Sequence, residues 1–315
     1  MERFFNPDVP HAHAEALINP VARNVLREIH SMRGVLGRFA NASDFAILEK
    51  STVMSLARIE QLIVDGKIDP LAKIRHSMES RYLPHVNGEL RIGVFPTAAN
   101  PFHWAHLLGG LIAMERFLLD KVIFVIAGRD SRKPEMATEK VRHFMAKSVI
   151  DLFYPLFEYS SFALGTATTG DENLFKILGM NPGQAIHAFY IAGGDHYHRF
   201  SPVTGNPDTI ERLEAGMTSR LCGFDGLLHR VSVVFLHRES EEAHIPTFLD
   251  VRRVEKLPVQ TSSTEIRRAL EDRRHLARLC ALPFAALVSI CVSSLYNAQA
   301  CKELLERTPP SSATP

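Results

Sequence analysis

Cysteine is scarce in this chain. Four stand among 315 residues, Cys222, Cys280, Cys291 and Cys301, and no two have CxxC spacing. In a chain of this length they read as reduced, buried thiols of a cytosolic protein, not as a disulfide framework. Net charge is nearly absent as well: 36 Lys and Arg oppose 35 Asp and Glu, for a formal charge of +1. No bulk field draws the chain to nucleic acid or to an anionic membrane, so neither is an expected partner. The opening residues, MERFFNPDVPHAHAEAL, lack the basic-then-apolar order of a secretory signal. A full membrane-spanning run is also missing. The nearest to one, residues 276–296, contains Arg278 and a proline, Pro283, and is expected to form a buried C-terminal helix. No internal repeat is visible. What remains is an ordinary globular composition, 46% hydrophobic and 23% charged, in a chain long enough for a sizeable core.

Two regions differ in pattern. Residues 1–88 show helical spacing of apolar residues at 14–30 and 44–64, with Ser43 as the expected N-cap of the second helix. Asp69-Pro70 predicts the start of a third, with Pro70 in its first position. No strand signal or catalytic motif falls here. His11 and His13 read as a solvated pair, and the region as a helical extension that packs on the core, caps a site or makes a homo-oligomer.

Residues 89–300 alternate. Strands are expected at 91–95, 121–127, 186–192 and 230–236, with weaker ones around 157–164 and near 251–257. Helices are expected at 103–119, 138–153, 171–178, 209–220 and 264–272. Alternation of this kind predicts an α/β fold with a doubly wound, mostly parallel sheet. The last residues, 301–315, end in TPPSSATP, a composition typical of a disordered tail.

Open parallel sheets bind ligands beyond the carboxyl ends of their strands. Polar clusters follow the expected strand ends: Asn100 to His106, Gly128 to Lys133, Gly193-Gly194-Asp195-His196, His237-Arg238, and Thr261 to Arg268. Their basic members, Lys133, Arg238, Arg267, His103 and His106, predict a polyanionic ligand. His103 and His106 share one face of a first helical turn, where unpaired N–H groups and the positive end of the dipole suit phosphate. Residue by residue, each cluster also has an ordinary structural reading: a metal pair or surface coincidence for HxxH, a plain cap for Ser-Ser-Thr, a tight turn for GGD.

Taken together the motifs resemble those of the nucleotidyltransferases with an HxGH-type signature, and among them the nicotinamide/nicotinate mononucleotide adenylyltransferases. PTAANPFHWAH, residues 96–106, fits the opening motif of that family without a gap, and TSSTEIR, residues 261–267, matches its closing ISSTxIR at all but the first position. Lys133 followed by Glu139, Arg142 and Met145 resembles the lysine loop and the helix with R-x-x-M. GGD at 193–195, VVFLHR at 233–238 and Leu295-Tyr296 resemble further family elements. The chain departs at the usual glycine pair, here Pro96-Thr97, at the usual phenylalanine, here Ala99, and at the glycine between the histidines, here Ala105. The family's aromatic partner for the nicotinamide ring has no clear counterpart; the one tryptophan, Trp104, lies inside the HxxH motif.

The resemblance implies a Rossmann-like nucleotidyltransferase core with an N-terminal helical extension, acting in the cytoplasm on small-molecule substrates. It implies ATP with Mg²⁺ and a pyridine mononucleotide acceptor, joined by direct in-line attack. His103 and His106 would bond ATP phosphates, with Arg267 reaching the same anion. Ser263 and Thr264 would give hydroxyl and N–H donors. Lys133 would hold a phosphate, Asp195 the ATP ribose, and Arg238 would join the site. Thr97, Ala98 and Gly193 would line it. Alternatives at this point are another nucleotidyltransferase, a non-catalytic nucleotide-binding module, or a metal-dependent hydrolase using His103, His106, Asp195 and His196 or His198.

Overall fold

Apolar residues in the stretch that opens the second region alternate in the direction they face. In the computed structural model this stretch is β1 (Glu89–Thr97). Leu90, Ile92 and Val94 join one buried cluster and Phe95 the other. A strand with two buried faces needs helices or covering chain on both sides, and this is what the sequence supplies. The structure describes residues 11–78, 88–129, 135–193, 229–236, 250–254, 257–259 and 261–297. The elements in order are α1 (His11–Leu36), α2 (Ala42–Val64), β1, α3 (Trp104–Phe117), β2 (Lys121–Ile126), α4 (Glu139–Ile150), β3 (Phe157–Ser160), α5 (Gly170–Gly179), β4 (Ala185–Gly193), β5 (Arg230–Leu236), β6 (Asp250–Val254), α6 (Ser263–Glu271) and α7 (Phe284–Val292). The expected helix at 209–220 and the tail at 301–315 lie outside the described residues.

The six strands run parallel in the order β3-β2-β1-β4-β5-β6. The chain therefore reverses direction across the sheet between β1 and β4, which is the switch point where open α/β sheets hold ligands. The two strands part there. Pairing of β1 with β4 ends at Val94↔Tyr190, whereas pairing with β2 continues to Thr97↔Ile126. Arg91 O accepts from Asp120 N–H at 2.6 Å and Thr97 O from Ala127 N–H at 2.8 Å, both on the β2 side. By alternation Pro96 faces β4, beyond the last paired residue. Its missing N–H removes no ladder bond, so a proline fits a central strand here.

One face of the sheet is covered by α5 and by an extended segment carrying Ala72 and Ile74. The other face carries a larger cluster to which α1, α2, α3, α4, α6 and α7 all contribute. In α1 the residues Val21, Val25, Ile29 and Met32 recur at helical spacing and are buried. α2 packs on α1 and α3, and α1 also touches α7.

Three local expectations are corrected. Asn41, not Ser43, caps α2; its carbonyl accepts from Asp44 N–H at 3.1 Å and starts the helix two residues earlier. Asp69-Pro70 starts no helix. Its backbone is bonded elsewhere: Asp120 Oδ1 takes Asp69 N–H at 2.8 Å, Asn181 brackets the Arg75 backbone at 2.9 and 2.8 Å, and His76 O accepts from Ser160 Oγ at 2.6 Å. Residues 276–296 are not one helix. A 3₁₀ stretch (Arg273–Ala281) stops before Pro283, which is extended at ψ 146°, and α7 begins after it. No helix among the described residues is long and apolar enough to cross a membrane.

Candidate active site

The turn leaving β1 is fixed by a buried arginine. Arg142 of α4 is 1% exposed. It donates to Ala98 O at 2.6 Å, Ala127 O at 2.8 Å, Gly128 O at 2.6 Å and Ala137 O at 2.9 Å. One guanidinium thus ties the turn after β1, the turn after β2 and the approach to α4. Gly128 also lets the chain after β3 close on this turn, since a Cβ there would lie 2.0 Å from Ala163 O and 2.2 Å from Thr166 O. Ala99 then takes the left-handed conformation, φ 49°, and the Asn100–Pro101 peptide is cis. Beyond this turn His103 is the N-cap of α3.

At that helix start the two histidine rings lie 3.9 Å apart. His106 stacks on Phe102 at 5.0 Å and 10°, and meets the edge of Phe95 at 6.0 Å. His106 Nδ1 accepts from the His103 backbone N–H at 3.2 Å, and Nε2 lies 2.9 Å from Thr97 Oγ1. Trp104 points the other way. It is 1% exposed and sits edge-on to Phe153 at 6.3 Å, so it is a core residue, not a ring-stacking partner for a ligand.

A second helix start arrives from the far end of the chain. Ser262 caps α6 in a reciprocal box with Glu265, the Glu265 N–H reaching Ser262 Oγ at 3.2 Å and Glu265 Oε2 taking Ser262 N–H at 2.8 Å. Ser263 Oγ donates to Pro101 O at 3.1 Å, and Arg267 Nη1 to Asn100 O at 2.7 Å. Arg267 Nη2 also donates to Thr264 Oγ1 at 3.2 Å. These bonds use two of the five N–H groups of Arg267. Tyr296 Oη donates to Asn100 Oδ1 at 2.5 Å, and the same oxygen takes Ala137 N–H at 3.2 Å. Burial pushes the Tyr296 phenol up to about 12, so it stays a donor at neutral pH.

Between the two helix starts lies a cleft of about 280 Å³. It is lined by Thr97, Ala98, His103, His106, Gly193, Ser263, Thr264 and Arg267, so the structure brings together eight of the residues expected from sequence. Lys133, Asp195 and Arg238 lie outside the described residues. The cleft also meets Asn100, Glu135 and Met136. Asn100 sits in the opening motif, but nothing in the sequence announces Glu135 or Met136. The Ser263 hydroxyl, expected on a phosphate, is bonded to Pro101 O; its place at the helix start still offers a backbone N–H. Two positive helix ends, an arginine and two imidazoles surround one concavity, an arrangement whose donors and potential suit an anion.

A parallel sheet of this order, with a cleft at its switch point built from an HxxH helix start and a Ser-Ser-Thr helix start, is the arrangement expected from the resemblance to the HxGH-type nucleotidyltransferases. The chain is similar in sequence to proteins named as probable nicotinate-nucleotide adenylyltransferases. A protein of Thermoanaerobacter sp. (strain X514), named "Probable nicotinate-nucleotide adenylyltransferase", is 30% identical over 112 residues, 34% of this chain and 52% of the relative. The chain thus spans about half the length of that relative. One of the same name from Thermus thermophilus is 29% identical over 188 residues, 59% of this chain and 89% of the relative. Among solved structures, the Plasmodium falciparum nicotinic acid mononucleotide adenylyltransferase complexed with NaAD is 14% identical, with a TM-score of 0.49 over 67% of this chain and 99% of that one. No family model matches the chain.

Proposed function

We propose that this protein transfers the adenylyl group of ATP to a pyridine mononucleotide, giving a dinucleotide and pyrophosphate. The observation that carries the reading is the convergence of the α3 and α6 starts, with Arg267 between them, on a cleft at the β1/β4 switch point. The names of the curated relatives favour nicotinate over nicotinamide mononucleotide as acceptor. In the reaction a 5′-phosphate oxygen of the acceptor bonds to the α-phosphorus of ATP, and the bond from that phosphorus to the bridging oxygen of pyrophosphate breaks. The protein supplies position and charge; no covalent intermediate is required.

The residues divide the work by where they sit. N–H groups at the starts of α3 and α6 receive phosphoryl oxygens. The remaining N–H groups of Arg267 oppose the charge that develops during transfer. Asn100, held by Tyr296 and Arg267, keeps the two helix starts in register. Mg²⁺ would travel with the ATP phosphates and neutralise them, largely through water. Among the described residues no three His, Cys, Asp or Glu side chains gather as a metal-binding group. Lys133, Asp195 and Arg238 keep their proposed roles at phosphate, ribose and the site margin, and cytoplasmic action on small molecules remains part of this reading. The hydrolase alternative is disfavoured by His106, whose two ring nitrogens are both engaged within the protein.

The test is incubation of purified protein with ATP, Mg²⁺ and either mononucleotide, followed by assay of dinucleotide and pyrophosphate. Product with nicotinate mononucleotide is expected at the higher kcat/KM. Absence of product with both acceptors would overturn the reading.

A further inference from the structure

The hydroxyl of Thr97 is held in a way that leaves it one use. The His103 backbone N–H can only donate, and it donates to His106 Nδ1 at 3.2 Å. Nδ1 therefore carries a lone pair, and the hydrogen of the neutral ring is on Nε2. Nε2 lies 2.9 Å from Thr97 Oγ1 and so donates to it. Ala99 N–H donates to the same oxygen at 3.2 Å. A threonine hydroxyl accepts two hydrogen bonds and donates one. With both acceptor positions filled, its own hydrogen is the group's remaining function, and Thr97 lines the cleft beside Ser263, Thr264 and Arg267.

We propose that the Thr97 hydroxyl is the direct donor to a phosphate oxygen of the bound nucleotide, with His106 behind it as a positioning residue. The inference rests on the adenylyl-transfer reading and deepens it, because it moves the phosphate contact from the imidazole to the hydroxyl. His106 is poorly placed to change partners. Its ring is stacked on Phe102 at 5.0 Å and closed at the edge by Phe95 at 6.0 Å, and turning toward a ligand breaks the bonds at both nitrogens. The arrangement orients a hydroxyl in advance, so little reorganisation accompanies phosphate binding.

The test titrates ATP with Mg²⁺ into the full chain and into Thr97→Val, Thr97→Ser, His106→Ala and the Thr97→Val/His106→Ala double variant, with kcat and KM measured for dinucleotide formation. Thr97→Val is expected to weaken ATP binding about tenfold or more, as for a lost hydrogen bond to a charged group. Thr97→Ser is expected to recover most of that loss, and the double variant to bind no more weakly than Thr97→Val alone, because the two residues act in series. Thr97→Ala repeats the loss without a second methyl group, should thermal melting show that valine disturbs the fold. The inference is overturned if Thr97→Val and Thr97→Ala bind ATP as the unchanged chain does while His106→Ala does not, or if the two losses add. If the unchanged chain binds ATP but makes no dinucleotide, the functional reading fails and the binding series still decides this inference. If it binds no ATP, both fall.

Discussion

Arg142 shows how much of the cleft rests on one side chain that does not line it. Its four carbonyl partners come from three separate segments, and none of them is a charge that would hold it by simple pairing. Truncation removes a donor from each of those carbonyls, and each buried group left unsatisfied costs about 1–3 kcal/mol. Arg142→Ala should therefore lower the unfolding free energy by roughly 3 kcal/mol or more, and Arg142→Lys should restore only part, since an ammonium cannot span the same fork. Urea titration measures this; a loss under about 1 kcal/mol would remove Arg142 as the tie. The neighbouring His143 carries a pH dependence. Burial, with the adjacent Arg142 charge, pushes its pKa down to about 4 from 6.5. Between those values the unfolded chain binds a proton that the folded chain refuses. The stability is full above about pH 6.5 and falls as pH drops toward 4, by at most about 1.4 kcal/mol per unit. His143→Gln should flatten the stability curve over that window relative to the unchanged chain; parallel curves would show that another group is responsible. Neither role can be read from EKVRHFMAK, where an arginine and a histidine on an amphipathic helix ordinarily face water. The resemblance singles out Arg142 but does not say what it holds.

Elements were legible where the backbone settles its own hydrogen bonds. β5 falls where the apolar run at 230–236 places it, and β2 is one residue shorter than its run. Legibility fails where a distant side chain supplies the partner. Residues 69–76 read as a helix start but are bonded through Asp120, Asn181 and Ser160, which lie on other parts of the chain. The C-terminal apolar stretch reads as one helix, yet Pro283 divides it and α7 starts with no cap of its own. The cap comes from α1: Glu28 Oε2 accepts Ala285 N–H at 2.7 Å. A carboxylate at a helix N-terminus stabilises by both its hydrogen bond and the dipole, about 1 kcal/mol. Glu28→Ala should lower the melting temperature accordingly, and Glu28→Gln, which keeps an acceptor, should lose less. Equal losses would show that the charge, not the bond, is what matters at α7.

At the scale of the whole molecule, the fold joins residues that the sequence separates widely. Order and spacing of the motifs announce the sheet and its cleft, but not the joints: Arg267 meets Asn100 across 167 positions and Tyr296 meets it across 196. The N-terminal helices are joined in the same way. Asn24 donates to Leu152 O at 3.4 Å, Arg58 pairs with Glu115 of α3 at 2.6 Å, and Glu28 caps α7. Beneath these polar links Val25, Ile29, Met32, Leu56 and Ile59 are buried at 2% exposure or less in the same cluster as Trp104, Leu111 and Phe153. Burying one such side chain contributes about 1.5–3 kcal/mol. Losing several at once exceeds the roughly 5–15 kcal/mol that typically separates a folded domain from its unfolded chain. The 1–88 extension and the α/β region are therefore proposed to be one cooperative unit, with the first two helices acting as a wall of the core. A fragment beginning at Asp65 should then show no cooperative thermal transition, bind a hydrophobic dye and make no dinucleotide. A soluble fragment that melts cooperatively and retains ATP binding would instead establish the two helices as a separable attachment, and the function of that attachment would have to lie outside the cleft.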